Sequence, residues 1–248
     1  MNTFTRQLAE GTPKAGLWLS LGSATVAEIC AIVGYDWLLI DSEHAPNDLN
    51  SVLAQLRAIE PHTTAVVRPF SMAPDHLAPL LDIGVRNLLV PRVDSVEQAR
   101  QLVRAVRYPP RGPRGVASGL IRASRFGRTS DYIRTADETL CLIAQIETPQ
   151  AVEAAGDIAA VHGIDALFVG LYDLSAAMDH IDNPGHPAVR NAFHHVVAVA
   201  HQAGKPVGAF TPTARLASAA HGVGCDFIAY GSDVGLLGEA ASQALTVR

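Results

Sequence analysis

An α/β chain closed into one (β/α)8 TIM barrel is the fold this sequence predicts, on three observations. Short unbroken apolar runs alternate with amphipathic stretches along the whole chain. Eight such runs can be counted, and eight βα units close into a barrel more naturally than they spread into an open sheet. The 248 residues suit one barrel and contain no linker that would divide them, so 1–248 is read as a single domain.

The strands are expected at 17–21, 37–41, 64–68, 87–90, 142–147, 166–170, 207–210 and 227–230. Most are continuous apolar runs, as parallel strands buried on both faces require. After the second, Leu49, Val52, Leu53, Leu56 and Ile59 recur at helical spacing. After the fourth, Val96, Ala99, Val103 and Val106 do the same behind Asp94, with Glu97 as capping-box partner. The segment 108–134 is rich in Pro, Gly, Ser and Arg and lacks periodicity. It is long for a βα connection, and such a loop at the C-terminal face would serve the active site or a subunit contact, or else be disordered. After the fifth and seventh strands, Thr148-Pro149 and Thr211-Pro212 each read as an N-cap followed by Pro at the first helical position.

The net charge of -5, with no basic block, gives no support to nucleic-acid or membrane-surface binding. The cysteines Cys30, Cys141 and Cys225 are odd in number and far apart, neither a disulfide framework nor a zinc pattern. They are read as reduced residues of a cytoplasmic protein. No apolar signal segment opens the chain, and no run is long enough for a transmembrane helix.

Barrel active sites lie at the C-terminal ends of the strands. Asp41-Ser42-Glu43-His44, Arg68, Gln145-Ile146-Glu147 and Asp173 should therefore converge. Glu147 and Asp173 fall on neighbouring strands, and two carboxylates suit a hard cation with positions left for water and substrate. Each could equally be a helix-start acid favoured by the dipole. Arg68 could donate to a developing oxyanion or sit in a structural ion pair. His44 could be a general acid–base tuned by Asp41 or Glu43, or simply solvated. The turn from Gly170 to Ser175 offers backbone N–H groups for a carboxylate. Lys14 and Lys205, the two lysines, both fall near strand starts, so neither is placed for Schiff-base chemistry. His194, His195 and His201 share a helix without zinc spacing and are read as surface or interface residues.

The runs from Gly16 to Ser23 and from Asp36 to Asn47, then Val67-Arg68-Pro69, Leu88-Leu89-Val90-Pro91, Gln145-Ile146-Glu147-Thr148 and Asp173-Leu174-Ser175, closely resemble the 4-hydroxy-2-oxoheptanedioate aldolase (HpcH/HpaI) family. The similarity extends from Gly16 to about Leu237. It implies a class II pyruvate aldolase on a barrel of the phosphoenolpyruvate/pyruvate type, commonly hexameric, using Mg2+, Mn2+ or Co2+. It implies metal ligation by Glu147 and Asp173, enolate stabilisation by Arg68, and proton transfer by His44. Gln145 matches a family residue beside the metal's water or the keto oxygen. Asp82 matches an aspartate that acts with the histidine. Since Asp82 precedes its own fourth strand, on the wrong face, it is expected to come from a neighbouring subunit. The partners so implied are a 2-oxo acid and an aldehyde.

The chain departs from the family at Gly170-Leu171-Tyr172-Asp173, where relatives read Gly-Pro-Ala-Asp, so donor binding is expected to differ. Phe210 stands where Leu is common; it could be simply a larger core residue, or, if it faces the pocket, narrow the aldehyde site and shift acceptor preference. Trp18 is taken with these as a substrate contact. The competing readings are an acyl-CoA lyase of the same superfamily, against which the lack of a basic CoA-phosphate patch counts, and a catalytically silent metabolite-binding barrel.

Overall fold

Eight parallel strands hydrogen-bond in sequence order and close on themselves. They are β1 Lys14–Leu19, β2 Trp37–Asp41, β3 Thr64–Arg68, β4 Asn87–Val90, β5 Cys141–Ile146, β6 Ala166–Val169, β7 Val207–Phe210 and β8 Phe227–Ser232. The computed structural model describes residues 2–246. In chain order the helices are α1 Thr3–Leu8, α2 Ala24–Val33, α3 Leu49–Ile59, α4 Pro74–Asp82, α5 Val96–Ala105, α6 Tyr132–Thr135, α7 Pro149–Ala159, α8 Leu171–Ala177, α9 Pro187–Gln202, α10 Ala214–Val223 and α11 Asp233–Leu245.

Where the limits of β1 and β5 differ from expectation, a side chain explains the difference; β6 ends at Val169 and β8 runs on to Ser232. β1 starts earlier than residue 17 because Lys14 pairs in register with Phe227 while its ammonium, on a largely buried side chain, reaches the exposed Glu10 at 2.7 Å. β1 stops before residue 21 because the N–H groups of Ser20 and Leu21 turn to the Asp233 carboxylate, at 2.8 and 3.1 Å. β5 runs over 141–146 rather than 142–147, and Glu147 leaves the ladder to accept from the Arg92 N–H at 2.8 Å.

The helix caps follow the same logic. Thr148 caps α7 as expected, accepting from Ala151 N. The α5 cap is Ser95, not Asp94, whose carboxylate instead accepts from the Thr148 hydroxyl at 2.6 Å. The α10 cap is Thr213, not Thr211, which is buried and donates to the Ala229 carbonyl.

The segment 108–134 also needs correction. The β4–α5 connection is short, and the long excursion follows α5, so it crosses the N-terminal face rather than the C-terminal one. It is ordered around a small core of Tyr108, Ala123, Tyr132 and Ala136. Arg86, next to the start of β4, donates to the Ala123 carbonyl and to Thr139.

Large aromatics fill the barrel's interior. Trp37 and Phe227 fit because Gly16 and Gly208 face them; a Cβ at either glycine would fall inside the facing ring. Phe4 of α1 packs on both aromatics, with ring centroids 6.1 and 5.8 Å away, and seals the N-terminal mouth. The opening left is at the C-terminal ends of the strands, where a barrel carries its chemistry. One element lies apart from this packing. From Val234 onward every described residue of α11 is exposed, including Leu236, Leu237 and Leu245, and α2 exposes Ile29, Ile32 and Val33.

Candidate active site

The C-terminal ends of β2 and β3 place an acid and a base side by side, with Asp41 in register with Arg68. Arg68 donates through Nε and Nη2 to the two Asp41 oxygens, at 2.9 and 2.7 Å, and its Nη1 lies 3.1 Å from Glu43. Trp18 Nε1 also donates to Asp41, and the guanidinium carbon sits 4.9 Å from the Trp18 ring centroid. Burial pushes the Asp41 carboxyl up, but the hydrogen bonds and charge of Arg68 outweigh it and hold the group below its ordinary range. Burial raises Glu43, against the pull of Arg68. Arg68 is thus ion-paired and also borders the open cavity; Asp41 fixes its plane and leaves further N–H groups for a ligand.

β5 and β6 pair directly, and their ends bring Glu147 and Asp173 to one cavity of about 250 Å³, shared with Glu43, His44 and Arg92. Burial, then the negative charges of Asp173 and Glu43, push the Glu147 carboxyl up to about 7, although Gln145 and the Arg92 N–H stabilise its charged form. Gln145 Nε2 donates to Glu147, while Gln145 Oε1 is buried with no partner. Gly170 lets the strands approach here: a Cβ on it would stand 2.9 Å from Glu147 Oε2. Crowded acids beside an unpartnered amide oxygen fit a hard cation. No group of three or more His, Cys, Asp or Glu that could hold a metal occurs among the described residues, so Glu147 and Asp173 would need water and substrate oxygens to complete the shell.

A second cavity of about 270 Å³ meets the first at His44 and Asp173. Trp18, Phe168 and Phe210 form its apolar wall, with Trp18 ring centroids 5.7 Å from Phe168 and 5.3 Å from Phe210. Leu171 and Tyr172 line it too, and the Tyr172 ring stands 6.5 Å from Phe210. The first N–H groups of α8, which like those of any helix lack intrahelical acceptors, receive no side-chain cap from Gly170.

His44 is largely exposed; its Nε2 lies 3.8 Å from Glu43. Asp82 is not brought to it. Asp82 ends α4, lines neither cavity, and pairs with buried Arg114 at 2.9 Å. The ion pair that the sequence left open for Arg68 is formed with Asp41, and one charged lining residue, Arg92, was missed from the sequence. Asp41 positions Arg68 rather than serving only to tune His44, a role legible from an acid and a base ending adjacent strands. Arg92, just past β4, holds the same kind of strand-end position.

Residues 14–240 match the model of the family described as HpcH/HpaI aldolase/citrate lyase. The chain is 47% identical to the hydroxypyruvate/pyruvate aldolase of Pseudomonas aeruginosa, over 96% of this chain and 89% of that one. It is 44% identical to the 4-hydroxy-2-oxo-heptane-1,7-dioate aldolase of Escherichia coli, over 100% of this chain and 94% of that one. A crystal structure of an HpcH/HpaI aldolase/citrate lyase family protein from Burkholderia cenocepacia J2315 superposes with a TM-score of 0.94 at 40% identity, covering 99% of this chain and 98% of that one.

Proposed function

The chain belongs to the HpcH/HpaI aldolase/citrate lyase family and is a carbon–carbon lyase; we propose that it cleaves 4-hydroxy-2-oxo acids reversibly to pyruvate, or a related 2-oxo acid, and an aldehyde, with one divalent cation held by Glu147 and Asp173. The observation that carries this reading is the convergence of those two acids, beside the unpartnered Gln145 oxygen, on a cavity that His44 also lines.

When bound, Mg2+, Mn2+ or Co2+ supplies a Lewis acid for the oxygens of the 2-oxo acid and spreads the charge that develops as the carbon–carbon bond breaks. The α8 N–H groups hold the substrate carboxylate. Arg68, fixed by Asp41, donates to the keto oxygen as it becomes negative. His44 accepts the C4 hydroxyl proton in cleavage and returns it in synthesis. Trp18, Phe168 and Phe210 keep water from the enolate carbon, and Phe210 narrows the space for the aldehyde.

The protein is further proposed to be a homo-oligomer, a hexamer as in the family it resembles. The exposed leucines of α11 and the exposed apolar residues of α2 support this, because neither face is covered within one chain. Asp82 would then meet His44 of the partner subunit. Placement in the reducing cytoplasm rests on three cysteines that are all free. No helix among the described residues is long and apolar enough to cross a membrane.

Exchange of the pyruvate methyl protons in D2O, followed by NMR with Mg2+ present, tests the centre. Exchange should vanish in Glu147→Ala and Asp173→Ala, and fall about 100-fold in Arg68→Ala. Undiminished exchange in the wild-type protein after exhaustive chelation would refute the metal reading.

A further inference from the structure

Arg92 has two properties that the mechanism above does not use. It lies in the left-handed region at φ 57, a conformation costing a non-glycine residue about 1 kcal/mol or more. That backbone aims its N–H at Glu147, and Arg92, an exposed residue, lines the cavity shared with Glu147, Asp173 and His44. Its guanidinium forms no hydrogen bond or ion pair among the described residues, whereas Glu43 in the same cavity is ion-paired to Arg68. With a cation between Glu147 and Asp173, Arg92 is the charged group lining this cavity that still lacks a counter-charge.

The two cavities divide the substrate between them. Arg68, the aromatic wall and the start of α8 border the second cavity and Asp173 borders both, so a 2-oxo acid bound to a cation on Asp173 lies at the junction and along the second cavity. His44 stands at the junction, where the C4 hydroxyl must be for proton transfer. Phe210 and Trp18 limit the room beyond the enolate carbon, so the rest of the aldehyde half runs past His44 into the first cavity. We propose that Arg92 is a specificity-determining residue that binds an anionic group, a carboxylate or a phosphate, on the aldehyde half of the substrate. Guanidinium forks recognise both groups. The proposal rests on the aldolase reading and names the substrate class that this site prefers.

The test uses the Mn2+-loaded enzyme and three 4-hydroxy-2-oxo acids of matched length, ending in a hydroxyl, a carboxylate or a phosphate. The readout is the ratio of kcat/KM for each anionic substrate to that for the neutral one, so a general loss of activity cancels. Wild type should prefer one or both anionic substrates, and the two arms tell carboxylate from phosphate. Arg92→Asn removes the charge with a residue that tolerates the left-handed backbone, and should lower the preferred ratio by about fivefold. Arg92→Lys should restore part of it. Raising salt from about 0.05 to about 0.5 M should erode the preference in wild type and not in Arg92→Asn.

An unchanged ratio in Arg92→Asn overturns the proposal. So does an equal fall for all three substrates with altered Mn2+ affinity, which would assign Arg92 to holding Glu147. Failure of wild type to cleave any of the three would sink the aldolase reading itself, a different result from cleavage without preference.

Discussion

In the proposed mechanism Arg68 depends on Asp41 to hold it, and pH can separate Asp41 from Glu147. Asp41 lies below its ordinary value of 3.8, since Arg68 outweighs the effect of burial. Its ion pair therefore stabilises the fold fully above pH 3.8, and that contribution is lost as pH falls through the folded-state value. Glu147 has the opposite sign. Burial first, then Asp173 and Glu43, raise it from 4.5 to about 7. Between those values the folded carboxyl keeps a proton that the unfolded one has released, so raising the pH costs the metal-free protein stability. At about 1.4 kcal/mol per unit this reaches about 3 kcal/mol by pH 7. Thermal unfolding in chelator from about pH 2 to about pH 8 should show both effects. Glu147→Gln should unfold at higher temperature than wild type above pH 7 and be level with it below 4.5. Asp41→Asn, which takes the two-pronged partner from Arg68 and leaves it Glu43 alone, should unfold lower at pH 7 by about 1–3 kcal/mol, with the deficit shrinking below pH 4. Curves parallel to wild type at every pH would refute these assignments.

The βα junctions are the elements on which the site is built, and the β6–α8 junction is the most constrained. Gly170 there has an ordinary negative φ of -79, so alanine suits the backbone; the obstacle is space. Its Cβ would stand 2.9 Å from Glu147 Oε2 and 3.2 Å from Gln145 Nε2. Gly170→Ala should fold normally, yet bind Mn2+ about tenfold or more weakly, because the carboxylate must turn; calorimetric titration would show this, and unchanged affinity would show that Glu147 can give way freely. At this scale the sequence was readable wherever a local pattern determined the outcome. Trp37–Asp41, Thr64–Arg68, Asn87–Val90 and Val207–Phe210 are apolar runs that became strands without adjustment. Glu147 and Asp173 could be foreseen together because each follows such a run on neighbouring staves. Several of the misses are long-range. Asp233, more than 200 residues away, ends β1 by claiming the N–H groups of Ser20 and Leu21. Asp94 lost its capping role because Thr148 engages it from another junction. The excursion after α5 was assigned to the wrong face although the helical repeat from Val96 to Val106 precedes it, because a chain leaving that helix has already returned to the N-terminal face. Arg92 escaped notice because a left-handed backbone at a non-glycine residue leaves no trace in composition.

For the whole molecule, the single chain leaves two things unfinished, and one assembly would complete both. Leu236 and Leu237 of α11 are exposed, as are Ile29, Ile32 and Val33 of α2; association of copies would cover such faces. Asp82 and His44 stand apart within one chain, yet a dyad formed between copies would join them. Complementation decides whether it does. His44→Ala and Asp82→Ala subunits should each be impaired in cleavage alone. Dissociated, mixed in equal amounts and reassembled, they should regain activity, because a site taking His44 from one variant and Asp82 from the other is intact. Random pairing around a ring gives such sites at roughly a quarter of positions. Carrying Leu236→Glu and Leu237→Glu on both variants should yield smaller species by light scattering and abolish the recovery, since charges at this face oppose association. Recovery in the mixture with α11 unaltered, and none once it is charged, would tie the catalytic dyad to the assembly; a mixture no more active than its components would return His44 to acting without Asp82, whatever the oligomeric state.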